Sequence, residues 1–186
     1  MKMKMKMNFK YDNIDNQDLH PKKQKMLKQL GLPMQIRVPI RMRGLSSKGI
    51  KSLCHHNTLK MVKKHGGKRL VGHTIESHKG GLEVFDHSVW ITPENKVVCI
   101  TKGNYSKEII KKGYIVFQPR EIDASPDTLL KNSYYDFVVR GKSVVFVNNK
   151  RTSRPMKLKH AGKFMEDTYK MDLGMSIKKC DFLECA

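Results

Sequence analysis

Acidic residues are scarce in the first third of this 186-residue chain. Residues 1–70 hold three, Asp12, Asp15 and Asp18, against 18 lysines and arginines, so +15 of the net +20 lies there. That imbalance points to attraction toward nucleic acid, an acidic protein or an anionic ligand, or else to lysine used as general solvated surface. Arginine is sparse beside lysine, so nothing points to bidentate reading of bases or phosphates. Aromatics make up 8% of the chain and do not interleave with the cations, which leaves no stacking platform for single strands. No apolar run approaches transmembrane length, and Met1 to Lys10 alternates Met and Lys, so neither a membrane segment nor a signal peptide is expected. Cysteine is limited to Cys54, Cys99, Cys180 and Cys185. Without an export signal these are expected as reduced thiols in a cytoplasmic protein (the host cytoplasm, if viral). No internal repeat is present.

The hydrophobic content of 39% supports one modest core. Residues 1–20 read as a basic, flexible arm or an edge strand, 21–160 as a single α+β domain, and 161–186 as a C-terminal helix and tail. A short helix is expected over 22–30, ending at Gly31 with Pro33 beyond it. Ile36, Val38 and Ile40 share one side of a strand over 34–42, which Pro39 pushes toward an edge. Residues 43–51 read as a loop. The clearest helix runs from Leu53 to His65, with Ser52 as N-cap, a stripe of Cys54, Thr58, Met61, Val62 and His65, and a stop at Gly66-Gly67. Strands follow at 69–77, 82–92 and 96–101, then a helical piece at 106–112 and a strand at 114–118. A one- or two-turn helix starting at Ser125-Pro126-Asp127, a hairpin of 134–140 and 143–148 around Gly141, and a helix around 160–172 complete the reading. The expected fold class is α+β, with the cysteine-bearing helix packed on an antiparallel meander.

Cys54 falls in the first turn of the best helix. Backbone N–H groups there lack intrahelical partners and the helix dipole is positive, so thiolate is favoured over thiol. A nucleophilic cysteine needs a base, and His87, on an apolar strand beside Val89 and Trp90, is the candidate. Asp86 adjoins His87, but neighbouring strand residues face opposite ways, so Asp86 is not placed to orient it. Asn57 lies one turn along from Cys54.

The stretches Cys54-His55-His56-Asn57, Gly66-Gly67 and Phe85-Asp86-His87-Ser88-Val89-Trp90 resemble the core of papain-like or transglutaminase-like cysteine hydrolases. They are most similar to protein N-terminal glutamine amidohydrolases and to related bacterial and phage proteins. The resemblance spans roughly residues 50–120. It implies a thiol hydrolase acting on an amide, in a protein or a small molecule, with Cys54 as nucleophile, His87 as base and no cofactor. It further implies a third catalytic residue on the next strand, where the family carries Asp and this chain carries Cys99. Asn57, His55 and Trp90 are the expected substrate-binding residues, with Trp90 also reading as core.

Three alternatives stay open. Cys54, His55, His87 and Cys99 offer two sulfurs and two nitrogens, the chemistry of a tetrahedral zinc site. A basic module would bind nucleic acid or an acidic protein through lysines of residues 2–28 and through Arg37, Arg41 and Arg43. A degenerate enzyme fold would serve as a phage or viral inhibitor.

Overall fold

A computed structural model describes residues 9–41, 54–101, 105–122, 137–147 and 150–163. It is α+β, with a mostly antiparallel sheet and few helices. In chain order the elements are β1 (Asp12–Asn13), α1 (Pro21–Gln29), β2 (Ile36–Pro39), α2 (Cys54–His65), β3 (Lys68–His78) and β4 (Gly81–Ile91). Then come β5 (Val97–Val98), α3 (Lys107–Lys112), β6 (Tyr114–Ile122), β7 (Phe137–Arg140), β8 (Ser143–Val147) and β9 (Lys150–Lys157).

The strands run β1-β2-β6-β3-β4-β7-β8-β9, with β5 branching from β4. The expected meander is therefore corrected: β6 inserts between β2 and β3, pairing antiparallel with both. Its contact with β3 shifts register between Val71 and Gly72. Pro119 faces Gly72 at that point, where a missing backbone donor is tolerated. A Cβ on Gly72 would stand 2.1 Å from the Gln118 carbonyl oxygen, so only glycine lets the strands approach this closely.

β5 does more than pair with β4 through Trp90–Val98 and Ile91–Val97. One residue later the chain crosses to β2. Cys99 donates its backbone N–H to the Pro39 carbonyl at 2.9 Å and accepts from Arg41 N–H at 2.9 Å, a parallel bridge opposite Ile40. β2, β6, β3, β4 and β5 thus close into a ring. Alternate residues of all five strands, including Ile36, Val38, Leu70, Val89, Ile115 and Phe117, form one buried cluster on its inner face. Cys99 belongs to that cluster and is fully buried.

By the same alternation His87 shares the inner face with Val89, while Asp86, Ser88 and Trp90 face outward. A second cluster covers the outward face at its other end, where Leu19, Leu27, Leu30 and Leu32, from α1 and its flanks, pack on Ile75, Leu82, Val84 and Phe137. β4 pairs with β7 over residues 81–84 and with β5 over 90–91. Between them, among the described residues, no strand pairs with Phe85–Val89 on the side away from β3. α2 packs against β4 there.

Several expectations change. Residues 9–20, assigned to the arm, are packed: Phe9 and Leu19 are buried, β1 pairs with β2, and Lys10 bridges to Lys96. Arg37 was expected among the cations offered to a partner. It instead donates to Asp18 at 2.7 Å and Asp15 at 2.5 Å and lies over the Tyr114 ring, while Tyr114 hydrogen-bonds to Asp18. β9 was not expected. It takes the end of the strand order, where Pro155 removes no ladder bond, and residues 158–163 are helical. The Met/Lys repeat of 1–7, Arg43 and the 43–51 loop, Ser52 and Leu53, the helix start at 125–127, the hairpin start at 134–136, the helix beyond 163, Cys180 and Cys185 all lie outside the described residues.

Candidate active site

α2 carries the cysteine because its sequence is amphipathic and stops hard. Cys54, Asn57, Thr58, Leu59, Met61 and Val62 are buried, and Lys60, Lys63 and Lys64 are exposed. His65, expected on the buried stripe, is exposed, because the helix ends there as Gly66 and Gly67 turn to φ 75° and 85°. Thr58 Oγ1 donates to the Cys54 carbonyl at 2.7 Å and accepts from Ser88 Oγ at 3.2 Å, which ties the first turn of α2 to β4. At the other end the indole of Trp90 donates to the Gly66 carbonyl at 2.9 Å and packs with Met61, Val62, Val98 and Ile100. Trp90 is thereby committed to the helix–sheet contact. The helix is fixed at both ends, and Cys54 stands beside the part of β4 that, among the described residues, has no strand partner on the side away from β3.

There the two faces of β4 meet one sulfur. The imidazole of His87, from the inner face, interacts with Cys54, and its Nε2 lies 3.3 Å from Cys99 Sγ. Cys99 in turn lies 3.1 Å from the hydroxyl of Tyr105 and 3.9 Å from the Thr101 carbonyl. The rings of His87 and Phe117 meet edge to face, with centroids 6.3 Å apart. From the outer face His55 interacts with Cys54 as well, and its Nε2 meets Asp86 Oδ2 at 2.9 Å. Nδ1 of His55 is buried without a well-directed hydrogen bond.

The electrostatics follow from these neighbours. Burial pushes the Cys54 thiol up, but the charges and hydrogen bonds of His87 and His55 outweigh it and bring it from 9.0 to about 5. Burial works against a charged His55, yet the hydrogen bond to Asp86, with Cys54, raises it from 6.5 to about 9. His87 is likewise disfavoured as a cation by burial, and the charges of Cys99 and Cys54 hold it well above its usual range. Burial raises the Cys99 thiol, while His87 and then the Tyr105 hydroxyl lower it. Tyr105 itself is pushed up by burial and by Cys99, so it stays a hydroxyl donor. An ion pair of thiolate and imidazolium results, flanked by a second pair, His55–Asp86.

Comparison with protein-family models, with curated proteins and with solved structures finds no match to this chain.

Of the residues expected at the site, Cys54, His87, Cys99 and His55 come together. Asn57 is buried one turn along α2. Asp86, excluded from orienting His87, turns to His55 instead. Tyr105 was missed. It follows Cys99 by six residues, a spacing that carries no periodic signal. The zinc alternative, through Cys54, His55, His87 and Cys99, is not met by their placement. Among the described residues no group of three or more His, Cys, Asp or Glu side chains is placed to hold a metal ion. No described helix is long and apolar enough to cross a membrane.

Proposed function

We propose that the chain is a papain-like thiol hydrolase that cleaves an amide through Cys54 and His87. The observation that carries this reading is the imidazole of His87 placed between two thiols, with Nε2 engaged by Cys99. Nδ1 then serves Cys54. The Cys54 thiolate attacks the amide carbonyl, forming the S–C bond, and the oxyanion develops near the backbone N–H at the start of α2, where donors point outward. His87 gives its Nδ1 proton to the leaving nitrogen as the C–N bond breaks. Water then attacks the thioester, His87 takes its proton, and the S–C bond breaks to release the acid.

Cys99 stands in the place of an orienting carboxylate. A neutral thiol does that work poorly, because it neither accepts the N–H strongly nor offsets the ring's charge. Tyr105 supplies the compensation: a hydroxyl donating to Cys99 stabilises its thiolate form, which is a competent acceptor for Nε2–H.

The substrate class is an amide on a protein or a small molecule, with N-terminal glutamine as the first member to test. Exposed Lys60, Lys63 and Lys64 on α2 and Lys68 beside it favour an acidic substrate. The same cations, with exposed Lys22, Lys25 and Lys28 of α1, support a second reading, a basic module for nucleic acid or an acidic protein. Ammonia release from glutaminyl peptides and a panel of amides, measured with wild type and Cys54→Ala, separates the two. Release that depends on Cys54 supports the hydrolase. Activity retained by Cys54→Ala, or none on any amide, removes it.

A further inference from the structure

The pair His55–Asp86 helps hold Cys54 as a thiolate but moves no proton in the acyl-transfer reading. His55 follows Cys54 directly in the first turn of α2, so its ring is fixed beside the sulfur. Its Nε2 contacts Asp86 Oδ2 at 2.9 Å, and the two side chains are only 12% and 15% exposed. A carboxylate so placed favours the protonated ring. The remaining nitrogen, Nδ1, is buried with no hydrogen bond of good geometry, and the ring's contact with Cys54 is made to its thiolate, so acylation of the sulfur leaves this N–H without an acceptor. Asp86 and His87 are adjacent on β4 and face opposite ways, so this donor is independent of the one that serves the leaving group. The groups whose charges act on Cys54 are imidazoles, His87 and His55. Once Cys54 is acylated it loses its negative charge and His87 has given up its proton, so His55, held charged by Asp86, is the cation that faces the substrate.

Resting on the reading of Cys54 as the nucleophile, we propose that His55 selects the substrate, its Nδ1–H receiving a carboxylate or other anionic group on the acyl part beside the scissile carbonyl. Asp86 is the positioning residue that keeps the ring charged and aimed. The substrate class narrows accordingly to amides of acyl groups that carry a negative charge next to the reacting carbon.

Two alkylating probes test this without a known substrate. Iodoacetate and iodoacetamide react at the same carbon, with the S–C bond forming and iodide leaving, and differ in a carboxylate against a carboxamide. Rate constants at Cys54 are read by peptide mass spectrometry near neutral pH. The ratio of iodoacetate to iodoacetamide is expected to fall about tenfold in His55→Gln, the order of one charge contact in a partly screened site. Asp86→Asn keeps the ring and is expected to lower the ratio in the same direction, so the test survives if His55→Gln does not fold. The ratio is insensitive to loss of thiolate, which slows both probes equally. An unchanged ratio in both variants overturns the proposal and leaves His55 as a thiolate-stabilising group. Failure of both probes to label Cys54 in the wild type overturns the nucleophile reading itself, a result distinct from an unchanged ratio.

Discussion

Replacing His87 by alanine isolates the interaction on which the site depends. The Cys54 thiol sits near about 5 against an ordinary 9.0, because the charge of His87, then the contacts of His55, outweigh burial. At pH 7 a group of pKa 5 is about 99% ionised and one of pKa 9 about 1%. His87→Ala removes the largest favourable contribution and leaves burial and His55. The midpoint of Cys54 alkylation by iodoacetamide, followed against pH by mass spectrometry, should rise by at least about two units, or roughly 3 kcal/mol of lost thiolate stabilisation. Thiolates of lower pKa are weaker nucleophiles, so the variant should react more slowly near pH 6 and faster at high pH. The two rate profiles should therefore cross. Adding His55→Gln should carry the midpoint to the ordinary value or beyond. A midpoint that stays near about 5 in His87→Ala refutes the reasoning and assigns activation to His55 and the helix terminus.

Cys99→Ala should raise the Cys54 midpoint and slow turnover, while Cys99→Asp should restore both, since a carboxylate accepts Nε2–H directly; equal profiles for the two variants would deny Cys99 an orienting role. Tyr105→Phe removes the donor to Cys99 and should reduce ultraviolet thiolate absorbance near neutral pH. Gly67→Ala places a Cβ 2.2 Å from the Ile91 carbonyl oxygen at φ 85°, so it should cost about 2–4 kcal/mol, read as a lower denaturant midpoint. His55 is raised from 6.5 to about 9 by folding, so its contribution to stability is fully present below about 6.5 and is lost as pH rises through about 9. Urea unfolding at a series of pH values should show a smaller loss in His55→Gln than in wild type, the remainder belonging to His87.

The parts of this site that rest on local pattern were legible. Helical spacing and the Gly66-Gly67 stop located α2, and the apolar strand around His87 located β4, because each signal lies within a dozen residues. Cys99 was implied by the resemblance, as the residue standing where the family carries Asp on the next strand. What the pattern did not hold was pairing at long range. The insertion of β6 between β2 and β3, and the bridge from Cys99 to Ile40, depend on which apolar faces meet in the folded chain. Both strands carry similar alternation, so sequence alone favoured a plain meander. β1 is two residues long and offers no period to read. A proline inside a strand is accommodated at an edge position, which is where β9 carries Pro155. The same long-range closure brings Tyr105 onto Cys99 and lets His55 and His87 approach one sulfur from opposite faces of β4.

The central claim is that Cys54 forms an acyl intermediate that His87 resolves. Reaction with p-nitrophenyl acetate, quenched in acid at successive times and followed by mass spectrometry of the Cys54 peptide, tests it most directly. The account predicts one acetyl group on Cys54, formed faster than on a free thiol and lost on standing, with a persistent acetyl adduct in His87→Ala. Acetylation of Cys54 no faster than that of an ordinary cysteine, or deacylation unaffected by His87→Ala, would contradict it.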